Sequence, residues 1–319
     1  MPMTEKLEEL LKEYTPRKFC IFFFAYGRPE LLRESSWKTL DDFGSNAPRY
    51  LICSDDDKRL QDYKDMFGEE RVLVFNKQEA EKTFDVGDNF QNMYKSVCFA
   101  RNMMFEMAKR VGHRYFLVHD DDVVTYAIRH EEDGLLRRDT RIPYGLFDNI
   151  CEAYFRLLDS SPWLYCTAMS QGGDYIGGKE SKLWKEQHRW KAMNGTFHDV
   201  EKPYTCPGRI NEDVNAYCCN GMRGKLFLTL AGVMLDQIPT QKAEGGMTEI
   251  YRSNGTWLKS FYSVMLCPSF ISINTMGNFS ETRRIHHRID WSHAVPKVLS
   301  NKYAKGTPLK FEETVGYDY

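Results

Sequence analysis

The sequence predicts an α/β fold, a mostly parallel twisted sheet flanked by helices. Three observations carry this. Short apolar runs such as Phe19-Cys20-Ile21-Phe22-Phe23-Phe24 are bounded by Pro16 and Gly27 and show no polar alternation, as strands buried on both faces do. Between them lie segments whose apolar residues recur at helical spacing. The two kinds of segment alternate through the first third of the chain, which implies parallel strands with helices on both faces.

In chain order, Leu7, Leu10, Leu11 and Tyr14 mark a short amphipathic helix over 4–14, ended by Pro16. The strand 19–24 follows. A helix starts near Pro29 and carries Leu31, Leu32 and Leu40. Tyr50–Cys53 reads as a strand, 58–67 as a helix and Val72–Phe75 as a strand. A polar loop over 76–90 leads to the clearest helix, 91–111. Its stripe is Met93, Val97, Ala100, Met104, Met107, Ala108 and Val111, and Gly112 is placed to cap its end. Tyr115–Val118 is another buried strand. A helix near 145–159 precedes a strand at 163–168. Residues 170–210 have no clean period, and so long a connection suggests a functional loop or lid. A helix after Glu212-Asp213, a β-rich stretch from Lys225 to Leu235, a helix near 247–260 and an extended run over 262–273 complete the body. From 276 onward the tail is basic.

Composition narrows the function classes. Of 319 residues, 42% are hydrophobic and 14% aromatic, enough for a well-packed core. A formal charge of -2 argues against nucleic-acid binding through bulk charge but leaves room for a local basic face. No apolar run reaches membrane-spanning length, and the first residues lack a signal-peptide core. Nine scattered cysteines without a CxxC pair fit free thiols in a reducing cytoplasm better than a disulfide framework.

The most informative residues are His119-Asp120-Asp121-Asp122, directly after the strand 115–118. Ligands of open α/β sheets sit outside the carboxyl ends of the strands. Three adjacent carboxylates repel one another, and a hard divalent cation offsets that repulsion. In an extended segment alternate side chains share a face, so Asp120 and Asp122 can grip one Mn²⁺ or Mg²⁺ while Asp121 points elsewhere. A solvated acidic turn is the plain alternative. Asp55-Asp56-Asp57 also follows a strand but leads into a helix. There Asp56 and Asp57 read as helix N-terminal charges, and Asp55 is a candidate contact to a base or ribose.

Ala25-Tyr26-Gly27-Arg28-Pro29, Ala100-Arg101-Asn102, Asp120-Asp121-Asp122, Asn211-Glu212-Asp213 and Gly245-Gly246-Met247, followed by Tyr251 and Lys259, occur in an order that resembles the GT-A glycosyltransferases. More narrowly, the order is similar to the TET-associated glycosyltransferase group, which includes phage enzymes that place sugars on hydroxymethylated pyrimidines in DNA. The resemblance implies a GT-A domain over 1–275, with a nucleotide-sugar half (18–125) and an acceptor half (126–275). Residues 276–319 would form a basic tail. It implies a nucleoside-diphosphate sugar as donor, with uridine the expected base, and activity in a host cytoplasm. Tyr26, Gly27, Arg28, Asp55, Arg101, Asp120 and Gly246 become donor-binding candidates. Tyr26 fits a core position equally well, and Arg28 and Arg101 fit solvated helix positions. Asp213, then Glu212, is the candidate base for an inverting reaction, and either also suits a helix N-terminus. A third metal ligand is expected near the C-terminus. His286, His287 and His293 compete, with His286 taken as the candidate.

Basic residues with interleaved aromatics in 179–191 (Lys179, Lys182, Trp184, Lys185, Arg189, Trp190, Lys191) and in the tail (Arg283, Arg284, Arg288, Lys297, Lys302) suit DNA contacts, or a solubilising surface. A hydroxymethyl group on a pyrimidine would be met in the major groove or after base flipping. Three other functions remain open: a GT-A enzyme acting on a saccharide or protein, a two-metal phosphoryl-transfer enzyme built on Asp120, Asp122, Glu212 and Asp213, and a non-catalytic sugar-nucleotide module.

Overall fold

The computed structural model describes residues 3–89, 96–175, 180–238, 257–276 and 284–296. Its frame is a ten-stranded mixed sheet in the order β3-β2-β1-β4-β9-β7-β10-β5-β6, with β8 also paired to β10. Strands β1 (Phe19–Ala25), β2 (Arg49–Ser54), β3 (Val72–Phe75) and β4 (Tyr115–His119) are parallel neighbours, as are β7 (Leu164–Gln171) and β10 (Leu226–Gln237). Strands β9 (Thr196–Asp199), β5 (Val123–Glu132) and β8 (His188–Arg189) run antiparallel to their partners, and β6 (Leu135–Arg141) pairs with β5 at the edge.

Strand β1 shows why its run is apolar throughout. Side chains alternate across a sheet, and here both faces are covered. Phe19, Ile21, Phe23 and Ala25 pack with Leu32, Leu40, Tyr63 and Phe147 on one face. Cys20, Phe22 and Phe24 pack with Phe99, Met104, Phe105 and Ala108 on the other. The second layer comes from α6 (Cys98–Arg110). The helix stops as its sequence dictates: Gly112, at φ 76°, lets its own N–H reach Lys109 O (3.1 Å) and that of His113 reach Ala108 O (3.0 Å), the two bonds of a Schellman cap. The opposite face is covered by α4 (Leu60–Phe67), α7 (Phe147–Asp159) and the helical segment 29–42, made of α2 (Pro29–Leu32), a π-helical turn (Arg33–Trp37) and α3 (Lys38–Asp42).

Several expectations need correction. The loop at 76–90 contains α5 (Lys77–Glu81), capped by Asn76. Between the acidic triplet and α7 lies the β5–β6 hairpin, unread in the sequence. It turns on Asp133 (φ 49°) and Gly134 (φ 73°), a two-residue loop whose positive φ angles match strand twist. Residues 170–210 are not one irregular loop. They include α8 (Lys182–Glu186), β8 and β9, and β9 sits between β4 and β7 with all four residues buried. Residues 262–266 are helical, not extended. They close α10 (Trp257–Leu266), and the strand β11 (Ile271–Met276) begins only after Pro268, which cannot continue a helix. Strand β11 pairs antiparallel with β12 (Arg284–Ile289), so residues on both sides of 275 share one hairpin. The short helix α11 (Trp291–Ala294) packs against α9 (Glu212–Gly221).

All nine cysteines are free and buried. Among the described residues no helix is long and apolar enough to cross a membrane.

Within β9, His198 is 1% exposed. Its ring stacks on Phe116 with centroids 5.0 Å apart, and its Nε2 lies 2.8 Å from Thr196 Oγ1. Burial, then the Arg101 charge, pushes its pKa from 6.5 down to about 3. The folded imidazole therefore stays neutral in mild acid while the unfolded chain takes up the proton. Stability from this group is complete above the unfolded pKa and falls as pH drops, by about 1.4 kcal/mol per pH unit at the steepest. His198→Gln is expected to remove that slope between about pH 6 and 4, as read from urea midpoints against wild type.

Candidate functional site

The site lies at the carboxyl ends of β1, β2 and β4. Register sets Ala25 beside Cys53 and Phe23 beside His119, so the segments leaving these strands share one edge. The acidic turn after β4 is fixed from below. Ser36, in the π-helical turn and fully buried, donates to Asp120 O (2.7 Å) and accepts from Val123 N–H (2.8 Å). Thr39 Oγ1 donates to Val123 O at 3.1 Å.

The three aspartates divide as an extended turn requires. Asp121 is buried and faces inward, where Arg28 Nη2 lies 2.8 Å from its Oδ1. Asp120 and Asp122 face the other way and converge on a single atom: Gln237 Nε2, at the end of β10, donates to Asp122 Oδ1 (2.7 Å) and Asp120 Oδ2 (3.3 Å). All three carboxyl groups have raised pKa values. Burial raises Asp120 most, opposed by Arg101 and Gln237. Burial pushes Asp121 to about 7 against the pull of Arg28. Asp122 rises to about 6 through burial and then the Asp120 charge.

Arg101 links this turn to the second acidic pair. Its Nε donates to Glu212 Oε1 at 3.0 Å, and its Nη2 lies 3.9 Å from Asp120 Oδ1. Burial opposes its charge, but Glu212, Asp120 and Asp213 together hold it firmly protonated. Glu212 is 8% exposed, and burial lifts its pKa to about 7 even though Arg101 opposes the rise. Asp213, the next residue, is half-buried and close enough to Asp120, Glu212 and Arg101 to shift each of them. Neighbouring Asn102 is structural: its amide bonds Cys98 O (2.8 Å), Cys206 O (3.0 Å) and Cys206 N–H (2.9 Å), anchoring the loop that enters α9.

At the β1 and β2 ends, Tyr26 is half-buried, with its ring 5.6 Å from Lys77 Nζ. Gly27 adopts φ 73°, with open space where a Cβ would project, and its N–H donates to Asp57 Oδ2 at 2.8 Å. Asp55 is exposed and accepts from Asn76 Nδ2 (2.7 Å) and Lys77 N–H (3.1 Å). Asp57 is buried and also accepts from Arg59 N–H, so it braces the loop before α4. Asp56 pairs with buried Lys77 at 2.8 Å. Lys77 and Gln237 are the site residues that sequence reading missed. Neither sits in a motif, and their neighbours along the chain carry no signal.

Gly246 lies outside the described residues. The structure separates the three histidines. His287 has a buried Nδ1 without a hydrogen-bond partner, and Asp213 acts on its charge. His286 instead faces the charges of Arg284 and Lys259. His293 is exposed and pairs with Asp290 at 2.8 Å. Among the described residues no three His, Cys, Asp or Glu side chains group to hold a metal, so His286 is not brought to Asp120 and Asp122. In the basic stretch after 179, Lys185 pairs with Glu180, Lys182 with Glu186, and both Arg189 and Lys191 with buried Asp174. Trp184 is buried and Trp190 exposed.

No curated protein matches the chain by sequence. Among solved structures it is similar to glucosyl-3-phosphoglycerate synthase from Mycobacterium tuberculosis, in complex with Mg²⁺ and UDP (TM-score 0.42, 7% identity, 91% of this chain and 92% of that one). It is also similar to the mannosyltransferase PcManGT from Pyrobaculum calidifontis, in complex with GDP-Man and Mn²⁺ (TM-score 0.42, 8% identity, 83% and 79%). A third is S. aureus TarS 1-349 in complex with UDP-GlcNAc (TM-score 0.38, 11% identity, 78% and 67%). The family model described as TET-Associated Glycosyltransferase matches residues 19–246, well over half of the chain and all of the strand-end acidic site. The chain is therefore a glycosyltransferase and belongs to the TET-associated glycosyltransferase family.

Proposed function

We propose that the protein moves a sugar from a nucleoside diphosphate, with uridine the favoured base, to the hydroxyl of a 5-hydroxymethylpyrimidine in DNA, and that Mn²⁺ or Mg²⁺ serves the reaction. The observation that carries the metal is the convergence of Asp120 and Asp122 on one donor atom. Two oxygen ligands from one turn, with remaining positions left to phosphate and water, suit a hard cation. The fit is chemical as well: both carboxyl groups are held at raised pKa by burial, and a cation offsets that cost. When bound, such an ion neutralises charge on a departing diphosphate.

The chain's own residues do the rest. Residues 18–125 form the nucleotide-sugar half in this reading, with Tyr26 stacking on the base, Gly27 allowing backbone approach and Asp55 taking the ribose. Arg101, charged and beside Asp120, adds positive potential at the phosphates. Arg28 acts indirectly, by keeping Asp121 turned inward. Residues 126–275 form the acceptor half. Asp213 takes the hydroxyl proton as attack develops, while Glu212, held on Arg101, keeps that guanidinium in place.

Support for DNA comes from the β11–β12 ribbon. Directly paired residues share a face, so Arg284, His286 and Arg288 line up with Met276, Asn274 and Ser272. Both arginines are exposed. The opposite face brings His287 to Asp213. A two-stranded ribbon of this kind fits a major groove. The double variant Arg284→Ala/Arg288→Ala is expected to raise KM for DNA about tenfold and lower the salt slope of binding by about two, with kcat retained. An unchanged salt slope would remove the ribbon from the interface.

Donor screening with Mn²⁺ tests the function. Release of nucleoside diphosphate is expected only with hydroxymethylated DNA, not with plain DNA. Transfer to saccharide alone would favour the other acceptor class.

A further inference from the structure

We infer that Gln237 is a positioning residue for the cation-binding carboxylates, and that Asn194 and Gln171 set its orientation. This rests on the proposed metal role of Asp120 and Asp122 and adds a part that no sequence motif marks. Gln237 ends β10, far along the chain from the acidic turn, yet its Nε2 touches both aspartates. An amide has two different ends. The oxygen of Gln237 accepts from Asn194 Nδ2, just before β9, and from Gln171 Nε2 (3.4 Å), at the end of β7. With its oxygen held by two donors, the amide must present its N–H groups to the carboxylates. The side-chain amides of three strand ends thus form one relay that terminates on the acidic pair.

The consequence is geometric. Asp120 and Asp122 repel each other, and Arg28, paired directly with Asp121, reaches them only through its charge. Without a shared donor, two short carboxylates on a turn would spread apart. The relay ties one oxygen of each, Asp120 Oδ2 and Asp122 Oδ1, to a shared N–H donor, so the pair is already held in register when a cation reaches it. Groups that orient metal ligands commonly contribute 10–100-fold to metal affinity. Gln237 acts through the aspartates and is not itself assigned as a ligand.

The test is Mn²⁺ binding to the intact chain, followed by calorimetry without sugar donor. Gln237→Ala is expected to weaken binding about tenfold, and Asn194→Ala, which frees the amide to turn over, by about threefold. The double variant should match Gln237→Ala alone, because Asn194 acts only through Gln237. In turnover, half-saturating Mn²⁺ should rise while kcat at saturating Mn²⁺ is kept, a split that a merely destabilised enzyme would not give. Asn194→Ala keeps the test available if Gln237→Ala fails to fold. Unchanged or tighter binding in both single variants, or additive losses in the double, would overturn the inference. If wild type binds no Mn²⁺, or binds it equally well with Asp120→Asn/Asp122→Asn, the metal reading itself fails.

Discussion

Asp122→Asn is expected to lower sugar transfer by about 10³-fold while making the folded chain more stable. The two effects share one cause. Asp122 is held beside Asp120 in surroundings that raise its pKa to about 6, first by burial and then by its neighbour's charge. Removing one of two repelling, desolvated carboxylates should stabilise the fold by about 1–2 kcal/mol. Under the proposed function the same change removes one of the two aspartates offered to the cation. Asp120→Asn should behave alike, since it shares the Gln237 contact. Asp121→Asn should differ in kind. It loosens the ion pair with Arg28, whose Nε already lacks a partner. Stability should therefore fall and Mn²⁺ affinity should persist. Thermal midpoints and Mn²⁺ titrations on the three variants separate these outcomes. Equal behaviour of all three would mean that the turn is only a charged surface.

The second large effect is expected at Arg101. It and Glu212 are each about nine-tenths buried and joined at 3.0 Å. Arg101→Met leaves Glu212 buried without its partner, a change that costs about 3–5 kcal/mol above the pH at which the carboxyl takes up a proton, and less below it. The loss should be seen as a lower urea midpoint with an unchanged m value. Adding Glu212→Gln should restore most of the stability, because the stranded charge is gone. Transfer should stay low in the double variant, since the positive charge near Asp120 is still absent. If the double variant regains full transfer, Arg101 serves only the fold.

The parts of this fold that were legible in sequence are those fixed by local rules. β1 and β3 read as apolar runs because helices cover both of their faces. α6 was legible over Cys98–Arg110, where the stripe and a glycine cap agree; of the helix expected over 91–111, residues 91–95, Met93 among them, lie outside the described residues and Ser96 and Val97 precede the first helical residue. The β5–β6 hairpin was legible too, since Asp133-Gly134 is a strong turn signal. Its second strand gives no alternating pattern, because Arg137, Arg138 and Asp139 follow one another on an exposed edge. β9 was hidden for a different reason. Four residues, including His198 and Asp199, are too short for a period, and only the gap between β4 and β7 makes them a buried strand.

The site divides in the same way. That Asp120 and Asp122 face one way and Asp121 the other was legible because alternate residues of an extended segment share a face. The arginines were visible as motif members, but their tasks were not. Arg28 stood out as a donor-binding candidate, and its ion pair with Asp121 is a tertiary contact that no motif encodes. Arg101 joins the acidic turn at Asp120 to Glu212, which lies more than a hundred residues beyond the arginine in sequence. Gln237 and Lys77 reach the site only through tertiary packing, which no local pattern encodes.

Crystals grown with UDP and Mn²⁺ give the most direct test of the central claim, through the anomalous signal of the metal. The account predicts a single peak about 2.1 Å from one oxygen each of Asp120 and Asp122, with both phosphates on its far side. A nucleotide bound with its diphosphate away from that turn, or a peak coordinated by other residues, would contradict it.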